Sequence, residues 1–225
     1  MQQQTGTQSE SIAQTAENGS AKACILKEAE RLFAENGFAG TSMAYIARAS
    51  GTSKPLIHHH FKSKRELYLA VRKRVIERLP AYEVSPEMLL EAIQPGDTPT
   101  SAFLRAGLLT LHDFLQNNPA FVRLTAWARL EGETDELPAM QQVLEMVIAR
   151  IKDAQACGMI RDDLDAGSMM VAMGGALYFF LEHENEYLPL MGTAKSSGND
   201  RAKEPAMQYI NQLVQLFGEG MTPAT

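Results

Sequence analysis

The chain has 225 residues and is 45% hydrophobic, so it can bury a core as one large domain or two smaller ones, and a wholly disordered protein is excluded. Its two cysteines, Cys24 and Cys157, are distant in sequence and lack metal-type spacing, which favours a reduced, cytoplasmic protein. Residues 1–20 contain no Lys or Arg, and the longest apolar run, Met169–Leu181, has 13 residues where a bilayer needs about 20, so we expect neither a signal peptide nor a transmembrane helix.

The net charge of −6 is divided unevenly along the chain. Residues 21–79 hold 12 Lys or Arg and five Glu, a net charge of +7, whereas the remainder has a net charge of −13. A cationic segment joined to an anionic one predicts that only the first approaches phosphates, while the second repels them and helps to fix the orientation on a nucleic acid.

The N-terminal residues predict a tail followed by a helix. Residues 1–20 lack an apolar stripe and are expected to be disordered. From Ala21, apolar residues recur at helical spacing until Asn36 and Gly37 interrupt them, which predicts the first helix.

Three further helix starts follow within the cationic segment. Thr41 or Ser42 can cap a second, short helix that ends near Gly51. Ser53 can cap a third, and a Ser-x-x-Glu capping box at Ser63 opens a fourth. Two short helices separated by a glycine turn, the second of them capped and basic, match the requirements of a helix-turn-helix.

The rest of the chain is also predicted to be helical, because no apolar alternation typical of strands appears. The expected helices lie at residues 86–94, 100–117, 119–132, 137–157, 166–188 and 204–218. The fold class is therefore all-α. An N-terminal three-helix helix-turn-helix domain at residues 21–79, which includes a connecting helix at 63–79, precedes a C-terminal helical domain at residues 80–225.

The block from Ile25 to Tyr68 resembles the N-terminal domain of the tetracycline-repressor (TetR) family. The residues that match the family's pattern are Ala29, Leu32, Phe33, Gly37, Thr41, Ile46, Ala47, Gly51, Ser53, Lys54, His60, Phe61, Lys64 and Leu67. The resemblance implies a transcriptional regulator, most simply a ligand-responsive repressor, that binds a palindromic double-stranded DNA operator as a dimer.

The resemblance also implies roles for individual residues. Thr41 and Ser42 are expected to meet phosphate at a helix N-terminus, where free N–H groups favour anions. His60 and Lys64 are expected to hold the DNA backbone. The residues expected in or beside the major groove are Thr52, Ser53, Pro55, Leu56, His58 and His59, and Lys54 completes the expected DNA-binding set.

The third helix departs from the family's usual pattern at Pro55, Leu56 and His58, where Gly, Thr and Tyr are frequent. Pro55 and Leu56 can contact thymine methyl groups but cannot donate to guanine, so apolar contacts and DNA shape are expected to carry much of the specificity. Because adjacent helical residues point about 100° apart, the three successive histidines cannot converge on one metal ion, and DNA contact is their favoured role. DNA affinity is then expected to rise as the pH falls from about 8 to 6.

Two helices of the body predict a homodimer. The helix from Asp165 to Tyr187 is apolar on more than one face, and the final helix adds another apolar face, so together they can form a four-helix interface as the resemblance implies. A monomer with a thick core is the alternative. The residues expected at the interface are Met169, Gly174, Gly175, Leu177, Phe180, Ile210, Leu213 and Phe217.

A small, largely apolar or aromatic effector is expected to bind between residues 100 and 181. The candidate residues are Phe103, Leu108, His112, Phe121, Trp127, Met146, Arg150, Met170 and Met173. His112 and Trp127 come first because each offers a polar atom on an apolar body. Packing of the core is the alternative role of every residue in this set.

An enzyme is the main competing class. No His follows a Glu by three residues, which excludes the paired Glu-x-x-His ligands of di-iron bundles, and no Gly-rich phosphate loop is evident. We therefore expect no catalysis, cofactor or metal. A DNA-binding regulator that responds to a protein partner, or to no effector, stays open beside the ligand-responsive one.

Overall fold

A computed structural model describes residues 6–79, 90–133, 138–190 and 204–222, the side chains of residues 6–19 and 204 excepted. The helices are α1 (Gly6–Gly40), α2 (Met43–Ala49), α3 (Lys54–His60), α4 (Lys64–Ile76), α5 (Pro99–Asn117), α6 (Pro119–Leu130), α7 (Pro138–Ala156), α8 (Ala166–Glu182), α9 (Glu184–Tyr187) and α10 (Glu204–Met221), with a 3-10 turn at Leu188–Leu190. These described residues include no strand, which confirms the all-α fold class. No helix among them is long and apolar enough to cross a membrane.

The later helices begin and end within three residues of the predicted bounds, except that the predicted helix at 166–188 is divided at His183 into α8 and α9. Most of the predicted helix at 86–94 lies outside the described residues, of which 90–92 are helical. Hydrophobic periodicity was sufficient here because each helix buries one side in a core.

Helix α1 is longer than predicted. It begins at Gly6, so residues 6–20, which were expected to form a disordered tail, are helical, and residues 1–5 lie outside the described part of the chain. The segment has no apolar stripe, and Ala, Gln and Glu, whose helix propensities are favourable, make up six of its 15 residues, so neither periodicity nor composition predicted this helix. At Gly37 the backbone leaves the helix, with φ +72° and ψ 179°, as the Asn-Gly pair predicted.

The predicted caps of α3 and α4 are confirmed, and of the two candidates for the cap of α2, Thr41 and Ser42, the structure has Ser42. The side-chain oxygens of Ser42, Ser53 and Ser63 each accept a hydrogen bond from the backbone N–H three residues later. The reciprocal bond of the predicted capping box is shifted by one residue, because Glu66 Oε2 accepts from the N–H of Lys62, which precedes the cap, at 3.0 Å. Each cap contributes about 1 kcal/mol and fixes where its helix begins.

The chain forms two compact units, Met1–Arg78 with Asn118–Met140, and Leu79–Asn117 with Gln141–Thr225. The predicted boundary near residue 80 assigned residues 118–140 to the C-terminal domain, whereas the structure groups them with the N-terminal one. The reason is the apolar face of α6, whose Leu124 is buried in the core that α1 to α4 also form.

The core of the N-terminal unit gathers one apolar face from each of its helices. Helix α1 contributes Phe33, α3 contributes Ile57, and α4 contributes Tyr68, each at most 1% exposed. The rings of Phe33 and Phe38 each lie 5.1 Å from that of Tyr68 between centroids, so aromatic packing joins α1 to α4.

The C-terminal unit has a separate core between α5, α8 and α10, in which Leu177 and Ile210 are fully buried. A buried ion pair lies beside it. The guanidinium of Arg105 pairs with the carboxylate of Asp97 and also donates to Ala92 O at 3.0 Å and Asn211 Oδ1 at 3.2 Å. These contacts satisfy a charge that is only 5% exposed.

Candidate DNA interface and effector cavity

Helix α3 leaves most of its surface open. Ile57 is its one buried residue, and it packs in the core of the N-terminal unit. The other residues are exposed or half-exposed: Lys54, Pro55, Leu56, His58, His59 and His60. Seven residues rising 1.5 Å each span about 10 Å, which suits a major groove about 12 Å wide.

The turn between α2 and α3 is built from small polar residues. Gly51 has a φ of +64°, which a glycine adopts without strain, and the Oγ atoms of Ser50 and Thr52 lie 2.8 Å apart in a hydrogen bond. Ser42 and Ser53 stay exposed while they cap their helices, and Thr52 is half-buried. The turn therefore fixes the angle between the two helices through local contacts.

Thr41 is placed differently from the expectation. Its side chain is 1% exposed, and its Oγ1 donates to the carbonyl oxygens of Gly37 at 2.9 Å and Leu32 at 3.1 Å. A hydroxyl that is buried against the end of α1 cannot reach phosphate. The structure thus places the Thr41 hydroxyl away from solvent, and the exposed Ser42 is the residue of this pair whose side chain is open to DNA.

His60 and Lys64, expected at the DNA backbone, are both half-buried. Burial of the His60 imidazole lowers its pKa, and the nearby charges of His59 and Lys22 lower that pKa further. Its Nε2 is buried without a hydrogen-bond partner among the described residues. Lys64 Nζ lies 4.3 Å from the ring centroid of Phe38, so a cation–π contact holds its ammonium beside α1.

Tyr45 and Arg48 of α2 were not among the DNA-binding residues expected from the sequence. Tyr45 is 37% exposed, and the guanidinium carbon of Arg48, also exposed, lies 5.1 Å from its ring centroid. Arg48 was counted in the cationic charge of the segment without being assigned a contact. An exposed aromatic residue one helical turn before an exposed Arg was the available signal, since neither side chain serves the core.

The segment before α2 is held by α6. The carboxylate of Glu131 accepts hydrogen bonds from the backbone N–H groups of Phe38 at 2.8 Å and Ala39 at 2.9 Å. At Gly37 a Cβ would lie 2.7 Å from Glu131 Oε1 and 2.8 Å from Trp127 Cε3. The predicted effector residue Trp127 therefore packs against Gly37 in the N-terminal unit, where it contributes to the position of the helix-turn-helix.

An apolar cavity of about 100 Å³ lies in the C-terminal unit between α5, α7 and α8. The expected effector residues among its lining are Phe103, Leu108, Arg150, Met170 and Met173. The sequence reasoning missed the remainder, which are Leu104, Gly107, Leu111, Val147, Ile151, Ile160, Met169 and Gly174. The cavity is thus made by residues one helical turn apart on three helices, a juxtaposition that only the packing reveals.

The other effector candidates lie elsewhere. Phe121 packs against the core of the N-terminal unit, and Met146 is 42% exposed outside the cavity lining. His112 is 5% exposed, its Nδ1 lies 3.1 Å from Asp113 Oδ1, and its Nε2 has no partner among the described residues. It is also absent from the lining, so the polar atom that made it a first choice does not face this cavity.

The residues expected at the dimer interface largely face inward. Those at most 5% exposed in their own unit are Met169, Leu177, Phe180, Ile210 and Leu213. Gly174 lines the cavity, Phe217 packs against the core, and only Gly175 of the set is exposed. Most of these residues therefore pack in the core of their own unit, because the sequence of a helix that is apolar on two sides does not reveal which side faces that core.

The apolar side chains that α8 and α10 leave open are different ones. Val171 is 65% exposed, Phe179 50% and Leu216 73%. A contiguous patch of such side chains marks an interaction surface, whereas single ones are common on soluble proteins.

Comparison with known proteins agrees with this architecture. Residues 25–71 match the family described as bacterial regulatory proteins, tetR family, and residues 109–207 match the tetracyclin repressor-like C-terminal domain. The chain is 23% identical over 215 residues to the transcriptional repressor NicS of Pseudomonas putida, covering 93% of this chain and 94% of NicS. It is 30% identical over 147 residues to the transcriptional repressor Rv1474c of Mycobacterium tuberculosis, covering 63% and 74%.

A solved structure shares the fold. The transcriptional regulator SCO4942 of Streptomyces coelicolor superposes with a TM-score of 0.62 at 22% identity, over 88% of this chain and 97% of that one. A capped helix-turn-helix followed by a helical body defines a DNA-binding transcriptional regulator. The chain belongs to the tetracycline-repressor family, in which dimeric binding and response to a ligand are typical, and its relatives are regulators rather than enzymes.

Proposed function

We propose that the protein is a ligand-responsive repressor that binds a palindromic operator as a homodimer in the cytoplasm, where chromosomal DNA lies. The observation that supports DNA binding is the exposure of α3: Ile57 is its one buried residue, and its other side chains are open to solvent. The cationic charge of residues 21–79 supports the same proposal, since phosphate attraction supplies most of the sequence-independent affinity for DNA.

The proposed contacts divide into two kinds. The residues proposed to lie in or beside the major groove, where base edges and groove shape are read, are Thr52, Ser53, Lys54, Pro55, Leu56, His58 and His59. The residues proposed to meet the DNA backbone are Ser42, His60 and Lys64, to which we add Tyr45 and Arg48.

We propose that a second copy of the chain covers the exposed apolar side chains of α8 and α10. Val171, Phe179 and Leu216 support this choice because the same two helices would then meet their counterparts across a twofold axis. A dimer also suits the short α3, because two copies read half-sites that lie about one helical turn of DNA apart, or a multiple of it.

The ligand response is proposed to start in the cavity between α5, α7 and α8. Helix α5 lines the cavity and is separated in sequence from α6 by Asn118 alone, and α6 carries the Glu131 that holds the segment before α2. A ligand that displaces α5 would therefore disturb this support and weaken DNA binding. A coupling of about 1–3 kcal/mol would change the DNA affinity about 5- to 150-fold. The relatives NicS and Rv1474c, both described as repressors, support release rather than activation.

Selection of bound duplexes from a random pool tests the proposal. We expect the wild type to enrich a palindromic site. When His58 and His59 are both replaced by Ala, the enrichment of both half-sites should be lost together. Lys152→Ala, on α7 of the C-terminal unit, is the matched control and should enrich the same site. Enrichment of an asymmetric site, or of none, would contradict the proposed dimeric reader.

A second measurement separates the ligand response from regulation by a protein partner. A small molecule that raises the melting temperature of the purified protein and also releases the selected duplex supports the ligand response. If the duplex is released only by a protein that co-purifies with the chain, the proposed effector is wrong.

A further inference from the structure

We propose that the effector is a small amphipathic anion, whose apolar part enters the cavity between α5, α7 and α8 and whose acidic group pairs with Arg150. The inference rests on the proposed ligand response and adds to it the chemical class of the ligand and the residue that selects it.

The floor of the cavity accepts only apolar groups. The lining residues that form it are at most 7% exposed: Leu104, Leu108, Ile160, Met169 and Met173. A ligand hydroxyl, amide or charge that reached them would lose its hydrogen bonds to water and gain none from these side chains. The part of the ligand that enters first is therefore a hydrocarbon.

The rim carries a single charge. Among the residues that the structure describes, Arg150 is the one charged residue that lines the cavity, and its side chain is 51% exposed, so it lies at the solvent-facing edge of the lining. Its Nη1 lies 3.8 Å from Asp153 Oδ2 in a long ion pair with a carboxylate that is 70% exposed. A guanidinium has five N–H donors in a fork, so it can bind a ligand carboxylate and keep contacts with neighbouring residues.

The described lining offers no carboxylate to a cationic ligand. None of the described residues that line the cavity is acidic, and α8 has no charged residue between Ala166 and Leu181. The charged residues of α5 are Arg105, which is buried against Asp97, and Asp113, which contacts His112 outside the lining. On α7, Glu145 and Asp153 also lie outside the lining, and Asp153 pairs with Arg150. A head group that reaches the lining therefore finds a guanidinium and no carboxylate.

The volume limits the apolar part to a short chain or a single ring. A dry cavity of about 150 Å³ is known to accommodate benzene, and this one is about 100 Å³ with an open rim. The unbranched side chains of Met169, Met170 and Met173 can adjust to groups of different shape.

Straight-chain carboxylates from butanoate to decanoate, each paired with the primary alcohol of equal length, test the inference by calorimetric titration of the intact protein. Carboxylate affinity should rise about fourfold for each methylene that is buried, until the cavity is filled. At equal length the carboxylate should bind at least tenfold more tightly than the alcohol, as expected of a charge-assisted hydrogen bond.

Variants assign the preference to one residue. Arg150→Gln should bring the carboxylates to the affinity of the alcohols and leave the alcohols unchanged, while Arg150→Lys should keep part of the preference. Lys152→Gln removes a charge from the same helix outside the lining and should keep all of it. The melting temperature of each unliganded variant shows whether it is folded.

Equal binding of carboxylates and alcohols by the wild type, or full carboxylate affinity in Arg150→Gln, would overturn the inference while the ligand response stands. Failure of both series to bind would also overturn it. The operator selection described above judges the proposed DNA binding independently, so the two failures are distinguishable.

Discussion

Replacement of Gly37 by Ala should destabilise the protein strongly. Its φ of +72° and ψ of 179° lie in a region almost confined to glycine, where another residue costs about 1–3 kcal/mol. The added Cβ would also lie 2.7 Å from Glu131 Oε1 and 2.8 Å from Trp127 Cε3, and such overpacking costs about another 1–3 kcal/mol. The expected loss in the free energy of unfolding is therefore about 2–6 kcal/mol.

Gly51→Ala is the matched control. Gly51 also has a positive φ, +64°, but a Cβ there would meet nothing within 4 Å, so only the backbone penalty of about 1–2 kcal/mol is expected. Urea unfolding at fixed protein concentration, followed by fluorescence, measures both variants, and Trp127 is the only tryptophan of the chain, so it reports directly on the packing at Gly37. Equal losses in the two variants would refute the proposed crowding of Gly37 by α6.

Four further predictions follow from individual contacts. Thr41→Val should lower the free energy of unfolding by about 1–3 kcal/mol, because Gly37 O and Leu32 O lose their buried donor. The same variant should leave the salt dependence of DNA binding unchanged. A changed salt slope would mean that Thr41 contacts phosphate after all. Lys64→Ala should weaken binding to operator and non-operator DNA alike and reduce the salt slope by about one unit, whereas a loss confined to one base position would contradict a phosphate contact. Asp97→Asn should cost about 3–5 kcal/mol at pH 7, since it leaves the buried guanidinium of Arg105 without a carboxylate. Burial raises the pKa of Asp97, but hydrogen bonds from Arg105 and from the Gln94 N–H more than offset this, so the net pKa is below its usual value. The stabilisation of the folded state by the Asp97–Arg105 pair is therefore complete above about pH 4 and is lost as the pH falls. Acid titration should destabilise the wild type more than the variant. Replacing His58 and His59 together by Gln should abolish the expected rise in DNA affinity between about pH 8 and 6, because these two imidazoles are exposed on α3 whereas burial lowers the pKa of His60; an unchanged rise at fixed salt would refute the assignment.

Local signals in the sequence predicted the helices and their caps. Ser42, Ser53 and Ser63 cap the helices at which they were placed, and the interruption of α1 at Gly37 follows from the Asn-Gly pair. These features depend on a few neighbouring residues, so they could be predicted without knowledge of the packing. The roles expected of the α3 side chains came from the resemblance to the family rather than from local signals, and the burial of Ile57 was not predicted from the sequence.

What the sequence could not predict depends on contacts between distant segments. Thr41 was expected at phosphate, but its hydroxyl finds carbonyl acceptors at the end of α1. Trp127 was expected in the effector cavity, but α6 packs against Gly37. Leu177 and Ile210 were expected at a dimer surface, yet they are fully buried in their own unit. In each case the residue type was suitable for either environment, and only the tertiary packing decided between them.

The account depends most on two chains reading one duplex through α3, and the mass of the protein–DNA complex tests this most directly. Sedimentation of the selected duplex with excess protein at low ionic strength should give two chains per palindromic site, or a multiple of two. A complex with one chain per duplex, or no complex at all under these conditions, would contradict the account.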